Sequence, residues 1–324
     1  VNSQRRSLAV LAASMAFAPL LARAQRNRPA RLGWLSYLAE PDPALGLLRE
    51  GLRELGYAEG SSYVVAARYA NGDFTRLPQL VEELAAERID VLVTRGPSAN
   101  FAKAISARVP VVFAFSGDPV VAGFADSLAK PGRNMTGITF MAMELCAKRV
   151  EILKELLPKA SRIALLSNPE HAGELLEYRV TEDTARRFGA VVTRYLVRAP
   201  QEIAPAFAAM RASNAEAILV FPDSLTLARR KEIAELAATA KMPCMYGWTE
   251  FVEAGGLVSY GPAIAENFKR LAVFVDKLLK GGDANSISIE QVTKIGLTIN
   301  LATAKALGIN MPQSLLARAD RVIE

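Results

Sequence analysis

The sequence predicts an α/β protein built from two doubly wound, parallel-sheet lobes joined by a hinge of several crossovers. Three observations carry this. Short apolar runs are each followed by a stretch with helical spacing. The alternation runs twice, over roughly 110 residues each time, which reads as two parallel sheets covered on both faces. The segment after residue 262 is long enough to return to the first unit and cross again. A chain of 324 residues suffices for two domains, and 51% apolar with 22% charged residues excludes a disordered chain.

Residues 31–37 (Arg-Leu-Gly-Trp-Leu-Ser-Tyr) read as the first strand. Residues 44–55 set Leu45, Leu48, Leu52 and Leu55 on one helical face, and Gly56 stops that helix. Strands follow at 63–69, 91–94 and 111–115, with helices marked by Leu77, Leu80, Val81 and Leu84 and by 98–107. Neither period holds over 137–143, which places the break between the units there. The second unit continues with helices at 145–157, 174–188, 203–213 and 227–240, and strands at 162–167, 191–197, 217–221 and 243–246. In the tail, 266–279 is helical, Gly281-Gly282 ends it, 287–301 reads as strand and 302–307 as helix. The expected division is a leader at 1–24, a first lobe of 25–138 with 262–285, and a second lobe of 139–261 with 286–324.

The leader reading rests on Arg5-Arg6, an apolar run over 8–21 and Ala22-Arg23-Ala24, a small-x-small cleavage pattern. The run is shorter than the roughly 20 residues a membrane span needs. Cleavage after Ala24 and a periplasmic protein are expected. Three of the six net positive charges fall in this stretch, so the remainder carries +3, too little for a nucleic-acid stripe. With two cysteines and one histidine, cysteine-based metal sites and multi-histidine sites lose their footing, and no metal or cofactor is expected. Cys146 and Cys244 are expected to be separate buried thiols. Phosphate-binding glycine motifs and the G-x-S-x-G nucleophile elbow are absent, so no enzyme activity is expected.

In open parallel sheets ligands bind beyond the carboxyl ends of the strands. The loops at those ends supply the candidates: Ser36, Tyr37, Thr94, Gly96, Ser98, Ala99, Ser116, Asp118 and Pro119 from the first unit, and Asn168, Asp223, Tyr246, Gly247 and Glu250 from the second. Backbone N–H groups after Gly96 and Asp118 suit a carboxylate, and Asp118, Asp223 and Glu250 suit an ammonium group. Tyr37, Phe115, Met141, Tyr246 and Trp248 suit an apolar wall. The combination points to a zwitterion such as an amino acid. Capping and packing compete as readings: Asp118 and Asp223 each stand where a helix or turn cap is expected, and Tyr246 and Trp248 suit a core. His171 reads as an exposed loop histidine, and Arg229-Arg230-Lys231 as a solvated helix face.

Several stretches together resemble a large family of exported solute-binding proteins of ABC importers, of the tryptophan/tyrosine type. They are 31–36 (Arg-Leu-Gly-Trp-Leu-Ser), 51–57 (Gly-Leu-Arg-Glu-Leu-Gly-Tyr), 117–120 (Gly-Asp-Pro-Val), 130–137 (Lys-Pro-Gly-Arg-Asn-Met-Thr-Gly), 250–256, 300–308 and 314–320. The resemblance implies a type I periplasmic-binding-protein fold, a cleft that closes on an amino acid, a permease partner at the membrane, a monomer and no catalysis. It maps the binding loops onto those after Ser36, Thr94 and Phe115, and onto Asp223 and Tyr246–Gly247. Arg95 stands where that family often has a small residue. A soluble ligand sensor for a signalling partner and an exported small-molecule enzyme are the alternatives.

Overall fold

Apolar runs too short for helices become strands here because helices on both sides can bury them. The computed structural model describes residues 28–140, 142–171 and 173–324. The expected leader and Met141 lie outside the described residues. The first half runs β1 (Ala30–Ser36), α1 (Pro43–Glu54), β2 (Tyr63–Tyr69), α2 (Leu77–Ala86), β3 (Val91–Arg95), α3 (Ser98–Ala102), β4 (Val111–Phe115) and β5 (Met135–Thr139). The second begins with α4 (Ala142–Leu156), β6 (Arg162–Ser167), α5 (Glu174–Arg187), β7 (Val191–Leu196), α6 (Ile203–Ala212) and β8 (Ala217–Val220). It continues with α7 (Ser224–Ala228), α8 (Arg230–Thr239), β9 (Cys244–Tyr246), α9 (Thr249–Glu253) and β10 (Val258–Pro262). The tail holds α10 (Ile264–Leu279), β11 (Glu290–Gln291), β12 (Ile295–Asn300), α11 (Leu301–Ala306), α12 (Gln313–Leu316) and β13 (Arg321–Ile323).

Two sheets result, ordered β11-β5-β4-β3-β1-β2 and β13-β12-β10-β9-β8-β6-β7. The first is parallel throughout. The second is parallel except where β12 runs against β10. The path explains the exception. Apart from β12 and β13, the strands of both sheets end at the cleft, and the chain crosses there after β5, β10 and β11. Coming off the end of β11 with three residues to spare, it must enter β12 from the cleft end, opposite to β10.

Two expectations change, one in the tail and one in the second unit. The 287–301 strand is two strands, and the first, β11, pairs with β5 in the first sheet. The first sheet therefore extends to residue 291, where the sequence reading placed 286–324 in the second lobe. The 227–240 helix is also two, because the chain turns at Arg229 between α7 and α8.

α10 leaves the second sheet and packs its face of Phe268, Leu271, Ala272 and Val275 against α1 and the first sheet. Gly51 of α1 makes that approach possible, since a Cβ there would strike the backbone of Lys269. One apolar cluster runs from Trp34 and Phe113 of the first lobe to Tyr246 and Phe251 of the second, so the lobes are packed together. A separate cluster fills the far face of the second sheet, around Val150, Leu165 and Ile299. Cys244 lies in the shared cluster and Cys146 in the separate one; both thiols are buried and no disulfide joins them. Among the described residues no helix is long and apolar enough to cross a membrane.

Candidate functional site

Strand order reverses direction between β1 and β3 in the first sheet and between β6 and β8 in the second. Loops diverge at such points and leave a crevice beyond the strand ends. The two crevices face each other, and each is crossed by a buried polar pair. In the first lobe Arg95, at the end of β3, donates from Nη1 to Asp42 Oδ1 at 2.9 Å. Asp42 stands in the loop after β1, caps α1 by accepting from Ala44 N, and accepts Ser36 Oγ at 2.7 Å on its other oxygen. The Arg95 guanidinium carbon lies 4.8 Å from the centre of the Phe268 ring. In the second lobe Asn168, after β6, donates to Asp223 Oδ1, which also caps α7 through Leu225 N. Asp223 Oδ2 is buried with no partner.

Between the lobes lies a cavity of about 580 Å³. Tyr37, Leu47, Ile264 and Phe268 wall it from the first lobe; Leu225, Leu227 and Glu250 wall it from the second. Arg229 and Arg230 also line it, so two residues of the basic run expected on a solvated face border the cleft. The turn between α7 and α8 carries them there. A smaller cavity of about 20 Å³ lies alongside, lined by Gly96, Ser116, Ser224 and Trp248. Arg95, Ile264 and Phe268 border both.

Among the described residues, contacts between the lobes flank this space. Tyr37 stacks on Phe74 at 4.1 Å and donates its hydroxyl to Arg198 O across the cleft. Burial, then the carboxylates Asp223, Asp73, Glu170 and Glu202, push that phenol up to about 12, so it remains a donor at ordinary pH. Gly96, at φ +52°, meets Ser224, and a Cβ would collide with the Ser224 hydroxyl. Phe115 meets His171 with ring centres 5.6 Å apart.

His171 corrects an expectation, because it is buried rather than exposed. The turn closed by His171 N to Asn168 O folds the ring inward. There Nε2 sits 2.7 Å from the buried Glu177 Oε1. Burial pulls the imidazole's pKa down, but Glu177, Asp223 and Glu174 outweigh it and the net shift is upward.

The sequence candidates divide by position. Tyr37 and Glu250 line the large cavity; Gly96 and Ser116 line the small one. Burial, then the neighbouring Glu253, raise the Glu250 pKa, and its Oε2 has no partner. Ser36 holds Asp42, and Asn168 holds Asp223. Ser98 is buried with an unpartnered hydroxyl, and Ala99 beside it is core. None of Ser36, Asn168, Asp223, Ser98 and Ala99 lines either cavity, nor do the remaining candidates. Thr94 donates to Leu35 O and ties β3 to β1. Asp118 accepts from Val120 N and Val121 N, which makes it the cap of the turn through Pro119. Tyr246 stacks on Phe251 at 4.6 Å in the core, and Gly247 packs against Pro222. Asp42, Leu225, Ile264 and Phe268 escaped the sequence reading. The Asp42-Pro43 step signalled a helix start, which Asp42 does cap; nothing local signalled its partner 53 residues on.

Known proteins carry the same frame. The family model for ABC transporter substrate binding proteins matches residues 42–323. A tyrosine-binding protein of Clostridioides difficile (strain R20291) is 23% identical over 279 residues, covering 84% of this chain and 79% of that protein. The crystal structure of an ABC domain from Streptococcus pneumonia in complex with L-Trp is 25% identical with a TM-score of 0.81, covering 91% of this chain and all of that one. A conserved domain protein from Vibrio cholerae is 26% identical with the same TM-score, over 90% of this chain and 99% of that one. The two parallel-sheet lobes with three crossovers are the type I periplasmic-binding-protein fold. With the match running over nearly all of the described chain, the protein belongs to the ABC transporter substrate-binding protein family.

Proposed function

We propose that the protein captures a small zwitterionic or anionic solute, an amino acid in the simplest case, in the interlobe cleft outside the cytoplasm and delivers it to a membrane permease. The observation that carries this is the set of buried, unpartnered polar atoms of both kinds at the cleft. Of the residues lining the cavities, Arg95 leaves its Nε and Trp248 its Nε1 as donors and Glu250 leaves Oε2 as an acceptor; the Ser98 hydroxyl and Asp223 Oδ2, close in the chain to the lining residues Gly96 and Ser224, are likewise unpartnered. Buried polar groups of a finished site have partners. A carboxylate toward Arg95, Ser98 and Ser116, with an ammonium toward Asp223 or Glu250, would supply them. Tyr37, Leu225 and Phe268 offer the solute's side chain an apolar wall. The L-Trp complex and the tyrosine-binding relative support an amino acid.

The solute docks on one lobe and hinge rotation brings in the other. Closure excludes water and strengthens the polar contacts. The protein acts by binding as a monomer, without turnover, and the solute should be recovered unchanged. A thermal-shift screen of residues 25–324 against amino acids and small carboxylates tests the reading. A ligand at a hundredfold excess over its Kd stabilises by about 2.7 kcal/mol, a shift of several degrees. No shift with any member, in protein first unfolded and refolded to strip bound solute, would overturn it.

A further inference from the structure

We infer that Arg95 sets the solute class: the cleft requires an acid group at its inner end and does without an ammonium group. This rests on the solute-binding reading above. Arg95 borders both cavities and is the charged member of the three described residues, with Ile264 and Phe268, that do so. It is 5% exposed and held from two sides, by Asp42 on Nη1 and by the Phe268 ring beneath the guanidinium. Asp42 is itself fixed by Ser36 and by its capping bond to α1, so the arginine cannot swing aside without breaking that network. Its Nε–H is buried and has no partner.

Trp248 lines the small cavity beyond it, and its indole N–H is likewise buried and unpartnered. Among the described residues no carboxylate lines that cavity and Arg95 is its one charged residue. Its space is that of one water-sized group, so it suits an acid oxygen and not a side chain. The carboxylates that line the cleft, Glu40 and Glu250, lie on the large cavity instead, together with Arg229 and Arg230. An acid group pointing inward therefore meets fixed donors, while an ammonium group set against Asp223 or Glu250 gives up its hydration for a pair that roughly breaks even. The solutes that fit are carboxylates with an apolar body, of which amino acids are one subset.

Calorimetry with four probes tests this: phenylalanine, 3-phenylpropanoate, 3-phenylpropanamide and phenethylamine, against wild type, Arg95→Lys and the paired variant Arg95→Gln with Asp42→Asn. The paired variant keeps a capping side chain at 42 and leaves no buried charge unpaired, so it tests binding without unfolding the lobe. Thermal midpoints confirm its fold. We expect wild type to bind 3-phenylpropanoate within tenfold of phenylalanine and neither the amide nor the amine. The paired variant should lose at least tenfold for the acid, with Arg95→Lys in between. Binding of phenylalanine with no binding of 3-phenylpropanoate overturns the inference alone, as does unchanged acid affinity in the folded paired variant. Binding of none of these, nor of any amino acid or small carboxylate, overturns the solute-binding reading and the inference with it.

Discussion

Both lobes put a buried polar pair where their strand order reverses, yet the two pairs are chemically unlike. In the first lobe Arg95 and Asp42 neutralise each other, and the hydroxyl of Ser36 satisfies the second carboxylate oxygen. In the second lobe the carboxylate of Asp223 is bonded on one oxygen only, to a neutral Asn168 and a backbone N–H. Shared topology thus delivers side chains to equivalent places without fixing what they do there. The first pair is closed on itself and presents one remaining donor. The second leaves a buried carboxylate oxygen without a partner.

The largest expected effect separates the pairs by stability. Asp42→Ala leaves Arg95 buried without its counter-charge, both side chains being almost fully enclosed, and removes the cap of α1. Breaking one partner of such a pair costs about 3–5 kcal/mol. The urea midpoint should fall accordingly, and an unchanged midpoint would mean that the pair is not closed in solution. Asp223→Ala should do the reverse. Its cost to stability is that of a lost cap, about 1 kcal/mol. Its cost to binding of an amino acid is on the order of 2–4 kcal/mol, because the ammonium group is then buried without a counter-charge, while a carboxylate lacking that group should bind as before. Calorimetry at wild-type affinity in that variant would remove Asp223 from the site.

The difference between the lobes also marks what the sequence could convey. Apolar runs and helical spacing are local, so β1 through β4 and α4 through β8 were legible within a few residues of their ends, whereas β5, over 135–139, was not read and runs into the stretch taken as the break between units. The strand-end rule likewise led to Ser36, Tyr37 and Glu250, because it needs only the order of elements. The pairings were not legible. Arg95 meets Asp42 across 53 residues and Asn168 meets Asp223 across 55, and no local pattern encodes which side chains two separate loops bring together. The same holds for β12, whose direction is set by the crossover before it rather than by its own residues. His171 looked solvated because Asn168-Pro169-Glu170 is polar; its burial depends on Glu177 one helical turn into α5 and on Phe115 from the other lobe.

That histidine carries a third, smaller contrast, since the first lobe's buried pair holds a permanent cation and this one a titratable group. Phe115 and Gly117, which face it from the first lobe, are uncharged. From the second lobe Glu177, Glu174 and Asp223 act on it, with Arg194 paired to Glu174. Its pKa is raised above the usual value of about 6.5, so the folded protein holds the proton more tightly than the unfolded chain. The resulting stabilisation is complete below pH of about 6.5 and is lost as pH rises through the raised folded value. The difference in urea midpoint between pH 6 and pH 9 should therefore shrink in His171→Gln. An equal difference in wild type and variant would show that the pair does not titrate with folding.

The smallest effect belongs to the hydrogen bond that joins the lobes directly. Tyr37 reaches from the end of β1 to Arg198 O, and no residue of either switch-point pair is involved. Its phenol is a permanent donor, so the bond is insensitive to pH over the working range. Tyr37→Phe keeps the ring stacked on Phe74 and removes only the hydroxyl. A neutral hydrogen bond contributes about 0.5–1.5 kcal/mol net. Because this one spans the cleft, the loss should fall on the closed form and leave each lobe's own folding unchanged. Solute affinity should drop about two- to tenfold, mostly through faster release, while the urea midpoint without solute stays near wild type. If the midpoint fell and affinity held, Tyr37 would be serving the first lobe's packing, and the coupling between lobes would rest on the Gly96–Ser224 and Phe115–His171 contacts instead.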